Sequence, residues 1–192
     1  YIWANVIRRD LYARQPQPVF PPGRVFEDVS VLPCLLADCA TLVRLARPVV
    51  AYRQHPASLT KAVSSRWCLD FAAALAQVKA AFGARPTSGS VRLHADVAAC
   101  HFCIGIVKSS YALPFLQGRR VRRQLEQTFL ASLFHHPAQV LAAMERHAVL
   151  SRDPAHDAAA ARQVRKALGH SIAFAIAKTV SRRLKLWQRG PV

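Results

Sequence analysis

The chain is poor in acidic residues: 10 Asp and Glu stand against 27 Lys and Arg, for a formal net charge of +17. Its five cysteines are irregularly spaced, which argues against a disulfide framework and favours a reducing compartment. It shows no basic segment followed by an apolar one, and its longest apolar stretch, residues 97–107, is far below the ~20 residues of a membrane span. We therefore expect a cytoplasmic protein without a secretory signal or a transmembrane helix.

The positive charge is concentrated in residues 117–192, which hold 14 Lys and Arg against 4 Asp and Glu. Such a field attracts nucleic acid, anionic lipid or phosphorylated substrates, although codon bias toward Arg and Ala would also produce it. Arg119-Arg120 and Arg122-Arg123 would give phosphate contacts in a basic helical module that binds nucleic acid. Against that alternative, the aromatic residues lie on apolar helix faces and do not alternate with the arginines.

Apolar and basic residues alternate along the last helix, predicted from Ala158 to Trp187. Its apolar face is formed by Ile172, Ile176, Val180, Leu184 and Trp187. Basic residues crowd the same end, and a basic amphipathic helix of this kind suits an anionic membrane surface. The alternative is a helix that packs on the rest of the protein and leaves its basic face in solvent.

The pattern of apolar residues changes near residue 61 and predicts two parts. Residues 1–61 read as mixed α/β, with a helix capped by Asp28 and two short strands, Leu42–Leu45 and Pro48–Tyr52. Residues 62–192 read as helical because apolar residues recur there at helical spacing, as in Trp67, Phe71, Leu75, Val78 and Phe82. The predicted fold class is therefore α/β with a mainly α-helical C-terminal region.

An acidic pair, Glu27-Asp28, stands between the loop of residues 15–24, rich in proline, and an apolar run. Two adjacent carboxylates at a junction between a loop and a helix can be directed into a cleft, where one of them can act as a general base. The alternative is that Asp28 only caps the helix that follows.

Several short elements occur in a recognisable order around this pair. They are Trp3, Arg8-Arg9-Asp10, Phe20-Pro21-Pro22-Gly23, Phe26-Glu27-Asp28-Val29, Pro48-Val49-Val50-Ala51-Tyr52-Arg53 and Pro56-Ala57-Ser58-Leu59-Thr60. Their order and separations resemble the second half of the family 2 glycosyltransferases. The resemblance covers residues 1–61, about a third of the chain, and no single motif in it is specific.

The resemblance implies a GT-A-like nucleotide-binding fold with a mixed sheet and an inverting transfer of sugar from a nucleotide-diphosphate donor. Asp28 would be the catalytic base, and Glu27 would orient neighbours or contact acceptor hydroxyls. Arg53 or His55 would lie near the donor diphosphate, and Trp3 would wall the acceptor cleft. For these last three residues the alternatives are a surface arginine, a loop histidine and a core tryptophan.

Two family features are missing from this sequence. No Asp is followed two positions later by another acid, and no glycine-rich phosphate loop occurs. The ligands of the divalent cation, Mn or Mg, that the resemblance implies are therefore not in this chain, and Asn5 stands where related sequences often have Lys. We expect the C-terminal part of a longer enzyme, inactive alone.

The partners implied by the resemblance are a nucleotide-sugar donor and a saccharide or lipid-linked acceptor, in cell-envelope or exopolysaccharide synthesis. An anionic membrane surface fits the basic last helix, at the inner face of the membrane, whereas the aromatic pattern disfavours nucleic acid. The donor sugar and the linkage are not specified by these residues.

Cys100-His101-Phe102-Cys103 has the spacing of half a zinc site. No second pair follows at a suitable distance, and Cys100 lies on the apolar face of a predicted helix, so core cysteines are the favoured reading. His135-His136 stands at a helix end, where helix capping is the simpler account.

Overall fold

The computed structural model describes residues 4–16, 18–51, 53, 63–146, 154–168 and 172–188. Its helices are α1 (Arg9–Ala13), α2 (Glu27–Ala37), α3 (Ser65–Gly83), α4 (Gly89–Ser110), α5 (Phe115–Ser132), α6 (Pro137–Glu145), α7 (Pro154–Leu168) and α8 (Ile172–Gln188). These residues contain no β-strand. The α/β prediction is therefore wrong: the described part of the chain is all-α.

The two predicted strands, Leu42–Leu45 and Pro48–Tyr52, show why the fold class was misjudged. Residues 41–51 form no helix or strand and are exposed throughout, with Leu42 72% and Val43 77% exposed; Tyr52 lies outside the described residues. Val and Leu favour a strand only where a neighbouring strand supplies hydrogen bonds and a packed face. Within the described ranges there is no such neighbour, so β propensity alone misled the prediction.

The helical faces predicted after residue 62 are confirmed. Five residues that were expected to share the apolar face of α3 are buried: Trp67, Phe71, Leu75, Val78 and Phe82. Ser64 caps α3 because its hydroxyl accepts a hydrogen bond from the backbone N–H of Trp67 at 3.1 Å. Ser88 caps α4 in the same way through Val91, at 3.4 Å.

The main hydrophobic core lies among helices α3 to α7. Its fully buried side chains include Phe71, Cys100, Leu125, Phe129, Val140, Met144 and Ala161. A smaller cluster joins α1 to α2 through Leu11, Val31 and Leu35. α2 packs along α3, so the N-terminal helices rest on the edge of the helical core.

α4 has 22 residues and a mean hydropathy of 1.3 over its most apolar window, enough for a membrane span by length and composition alone. Core helices pass the same test. α4 packs against α3, α5, α6 and α7. It also carries the buried Asp96, whose carboxylate accepts hydrogen bonds from the backbone N–H groups of Phe134 and His135 at 2.9 and 3.0 Å. These contacts are those of a helix inside a bundle.

The last helix, predicted as one segment from Ala158 to Trp187, is described as two helices. α7 begins earlier than expected, at Pro154, and ends at Leu168, and α8 begins at Ile172. Residues 169–171 lie outside the described ranges. The assignment of residues 1–61 and 62–192 to separate parts stays a prediction.

Candidate functional site

The acidic pair lies in the first turn of α2. The helix begins at Glu27, and its N-cap residue is Phe26, whose carbonyl accepts hydrogen bonds from the N–H groups of Val29 and Ser30 at 3.1 and 3.4 Å. The prediction that Asp28 caps this helix is therefore wrong. Asp28 is the second residue of the helix, and its carboxylate does not cap the helix N-terminus.

Phe26 has a left-handed backbone, with φ 65° and ψ 29°. For a bulky side chain this conformation costs roughly 1–2 kcal/mol. The ring of Phe26 meets Trp67 and Phe71 of α3 edge-on, with centroids 4.9 and 5.5 Å apart, and such aromatic pairs offset a cost of this size. The packing of one ring therefore fixes the direction in which α2 starts.

The loop before Phe26 is fastened to the same helix, α3. Gly23 takes φ 69°, which a residue with a side chain adopts only with strain. Its carbonyl accepts a hydrogen bond from the Arg66 guanidinium at 2.6 Å. The Val25 N–H donates to the Asp70 carboxylate at 3.3 Å. Backbone hydrogen bonds and ring contacts thus hold the acidic pair at a defined place on α3.

The carboxylates of Glu27 and Asp28 are partly exposed, and neither forms a hydrogen bond or an ion pair with another described residue. Both residues lie in the first turn of α2, at the positive end of the helix dipole. Two cavities in the described part of the chain, of about 660 and about 440 Å³, are lined by other residues. The described side chains therefore supply a carboxylate pair that is partly exposed and that lines neither of these two cavities.

The other predicted site residues are not brought to this pair in the described structure. Trp3 and His55 lie outside the described residues. Arg53 is exposed and belongs to no helix or strand. Their expected roles at an acceptor cleft and a donor diphosphate stay predictions.

Two pairs of a histidine and an aspartate were not expected from sequence. His135 Nδ1 lies 2.8 Å from the buried carboxylate of Asp96, and His101 Nε2 lies 2.7 Å from that of Asp157. The members of each pair are about forty and fifty-six positions apart, so no local motif points to them. The first pair joins α4 to the connection between α5 and α6, and the second joins α4 to α7.

His136 caps α6, because its ring nitrogen Nδ1 accepts a hydrogen bond from the N–H of Ala138 at 3.3 Å. His136 is thus a capping residue, but at the start of α6, whereas the end of α5 is capped at Leu133. Its neighbour His135 is instead bonded to Asp96.

The reading of Cys100 and Cys103 as core residues is confirmed, since they are 1% and 7% exposed. Burial raises the pKa of each thiol to about 12. Among the described residues no group of three or more His, Cys, Asp and Glu is placed to hold a metal ion. The divalent cation that the resemblance implies therefore does not fit these residues.

In comparisons with known proteins, no family model, no curated protein and no solved structure matched this chain.

Proposed function

We propose that this chain carries the catalytic base and acceptor side of an inverting glycosyltransferase. The observation that carries the proposal is the presentation of Asp28: a strained, ring-anchored residue precedes it, and its carboxylate is partly exposed and unpaired among described residues. Non-glycine residues with positive φ are concentrated at functional sites, because only there is the strain retained for a purpose. The order of motifs around Asp28 supplies the reaction class.

The role of Asp28 follows from the chemistry of an in-line displacement. As an acceptor hydroxyl oxygen bonds to the anomeric carbon, its proton passes to the Asp28 carboxylate. The bond from that carbon to the donor diphosphate breaks, and the diphosphate leaves with the electron pair. Glu27 would hold acceptor hydroxyls beside the Asp28 carboxylate.

Donor binding is assigned to elements that the described residues do not contain. They hold no metal cluster, and the mixed sheet that the resemblance implies is absent from the described part of the chain. The environment of Asp28 and the order of the motifs support the proposal. Arg53, exposed beyond residues 41–51, would face the diphosphate.

The test is the substitution Asp28→Asn in the full-length protein, which is then assayed for sugar transfer. Loss of the base should lower the transfer rate by roughly 10²–10⁴-fold, while the unfolding free energy changes by about 1 kcal/mol or less, the usual worth of a carboxylate at a helix N-terminus.

Asp10→Asn is the matched control. Asp10 is also an acid in the first turn of a helix, but it is paired with Arg8 and Arg14 on the surface. We expect its transfer rate to match that of the unmodified protein. An Asp28→Asn variant that transfers sugar as fast as this control would remove Asp28 as the base.

A further inference from the structure

A cavity of about 660 Å³ lies between α4, α5, α7 and α8. Five cations line it: Arg119, Arg120, Arg122, Arg123 and Lys166. Glu126 is the one carboxylate among its described lining residues. We call this space the basic cavity. Its volume is in the range of small-molecule sites, which run from roughly 300 to 1,000 Å³.

Part of the lining of the basic cavity is apolar. It includes Ile104 and Val107 of α4, Phe129 of α5 and Val164 of α7, and Phe129 and Val164 are themselves buried in the core. A ligand that fills this space would therefore meet both hydrocarbon and guanidinium groups. Such a lining is complementary to a ligand in which an anionic group is joined to an apolar group.

Arg122 is the cation held most firmly at the cavity. Its guanidinium stacks over the Tyr111 ring at 4.2 Å, and its Nη1 lies 3.4 Å from the carbonyl and hydroxyl oxygens of Ser110. Its Nη2 is buried without a partner in the described structure. Burial lowers the Arg122 pKa, Tyr111 and Cys68 act in the opposite direction, and Arg119 adds a smaller lowering. An anion in the cavity would offset the cost of burial and give Nη2 an acceptor.

The arrangement of arginines on α5 carries a cost of its own. Arg119 and Arg123 are exposed, and Arg122 stands three positions from the first and beside the second. Like charges three or four positions apart destabilise a helix by a few tenths of a kcal/mol for each pair. A phosphate group between them turns this repulsion into charge-assisted hydrogen bonds.

The adjoining face of α8 indicates where such a ligand comes from. Ala175 of α8 lines the basic cavity. Ile176, Val180 and Leu184 follow at intervals of four along one face of α8 and are 47%, 52% and 53% exposed. An apolar stripe on a basic helix, next to a cavity lined with arginine, complements the acyl region and the negative headgroups of a bilayer.

We infer that the basic cavity binds the phosphate group of an anionic membrane lipid, with the apolar stripe of α8 resting in the bilayer surface. The shared chemistry is a phosphate ester joined to hydrocarbon. This site is separate from the acidic pair on α2 and does not depend on sugar transfer.

The experiment measures binding of the purified chain to phosphatidylcholine vesicles with and without phosphatidylglycerol. Arg122→Gln is compared with Arg162→Gln, which removes the same charge from an exposed position on α7 that does not line the cavity. Affinity for the anionic vesicles should fall by roughly 10–100-fold for Arg122→Gln and by at most about fivefold for the control. Equal losses would show diffuse attraction between charges and would overturn the site.

Two further arms identify the ligand. Soluble dihexanoyl phosphatidic acid should bind more tightly than inorganic phosphate in titration calorimetry, because it also fills the apolar wall. Equal affinity would overturn the lipid assignment. Duplex DNA binding that depends on Arg122, with no binding to vesicles, would overturn it in favour of nucleic acid.

A folding check accompanies the variants, with thermal unfolding followed by circular dichroism. If Arg122→Gln does not fold, the double change Arg119→Gln and Arg123→Gln replaces it, since both side chains are exposed and should leave the core intact. That variant should show the same loss of vesicle binding. Unchanged binding would overturn the proposal.

Discussion

The acidic pair and the basic cavity involve different helices of the described bundle and are built in different ways. Glu27 and Asp28 stand at the edge, on a helix whose first turn is directed by the strained Phe26 and by contacts with α3. The basic cavity is enclosed by four helices, and Arg122 is held there by Tyr111 and Ser110.

The two regions differ in the kind of interaction that is unfavourable in each. At the acidic pair the cost is in the backbone, and aromatic packing offsets it. At the basic cavity the cost is electrostatic, since guanidinium groups are crowded and one is half-buried. The backbone cost at the acidic pair can therefore be altered by a residue with a different φ preference. The electrostatic cost at the basic cavity can be altered by a change of charge, of side-chain volume or of pH. Changes that act on one region alone sharpen this contrast.

The largest expected effect is a loss of unfolding free energy at alkaline pH, caused by the buried thiols of the main core. Burial raises the pKa of Cys68 to about 11 and that of Cys100 and Cys103 to about 12. An unfolded thiol ionises near pH 9, so the stabilisation is complete below about pH 9 and is lost as pH rises toward the folded values. Each thiol should remove about 1.4 kcal/mol of unfolding free energy per pH unit in that window, measured by urea unfolding with reductant at about pH 8 and about pH 10.

Cys100→Ala and Cys39→Ala divide this effect between the two regions. Cys100 is buried in α4, whereas Cys39 lies just beyond α2 and is partly exposed. The first change should flatten the alkaline loss by about 1.4 kcal/mol per pH unit and by more than the second, because only Cys100 is buried in the core. Identical slopes in both variants would mean that the thiols of the core do not govern alkaline stability.

The next effect isolates backbone strain at the acidic pair. Phe26→Ala and Phe26→Gly both lose the ring contacts with Trp67 and Phe71, which should cost about 2 kcal/mol or more. Only glycine also relieves the left-handed backbone, so Phe26→Gly should be the more stable of the two by about 1 kcal/mol. Denaturant unfolding measures the difference.

The control for this pair is an exposed helical position, Ala76 of α3. There alanine should be more stable than glycine by about 1 kcal/mol, which is the opposite order. If alanine were the better residue at position 26 as well, the strain assigned to Phe26 would not exist in solution.

The helical part of the fold could be predicted from sequence because its signal is local. Apolar residues at helical spacing, such as Phe71, Leu75 and Val78, identify α3 whatever its neighbours are. The exposed segment around Val43 and Val49 carries no comparable signal, since a strand exists only with a partner. That is why the helices were found and the α/β class was wrong.

The candidate site could be predicted only in part, for a related reason. The chemical types were readable: a carboxylate pair at a helix start, and arginine pairs on a helix. The left-handed backbone of Phe26 has no sequence signature, because glycine or asparagine would be the expected residue there. The stacking of Arg122 on Tyr111 and the contact of His101 with Asp157 depend on how helices pack, which no spacing along the chain encodes.

The smallest expected effect tests the close packing behind the basic cavity. Gly118 lies on α5, where a Cβ atom would stand 2.9 Å from Arg122 Nη1 and 3.0 Å from the Ser110 carbonyl oxygen. Gly105 lies on α4 with open space around it.

Gly105→Ala should therefore gain the helix propensity of alanine, up to about 1 kcal/mol. Gly118→Ala should lose up to about 1 kcal/mol, because overpacking exceeds that gain. By moving the Arg122 guanidinium it should also weaken binding to anionic vesicles, which Gly105→Ala leaves unchanged. Equal stabilisation by both alanines would show that α5 does not need a glycine to bring Arg122 against Ser110, and the cavity would then be shaped by its charges alone.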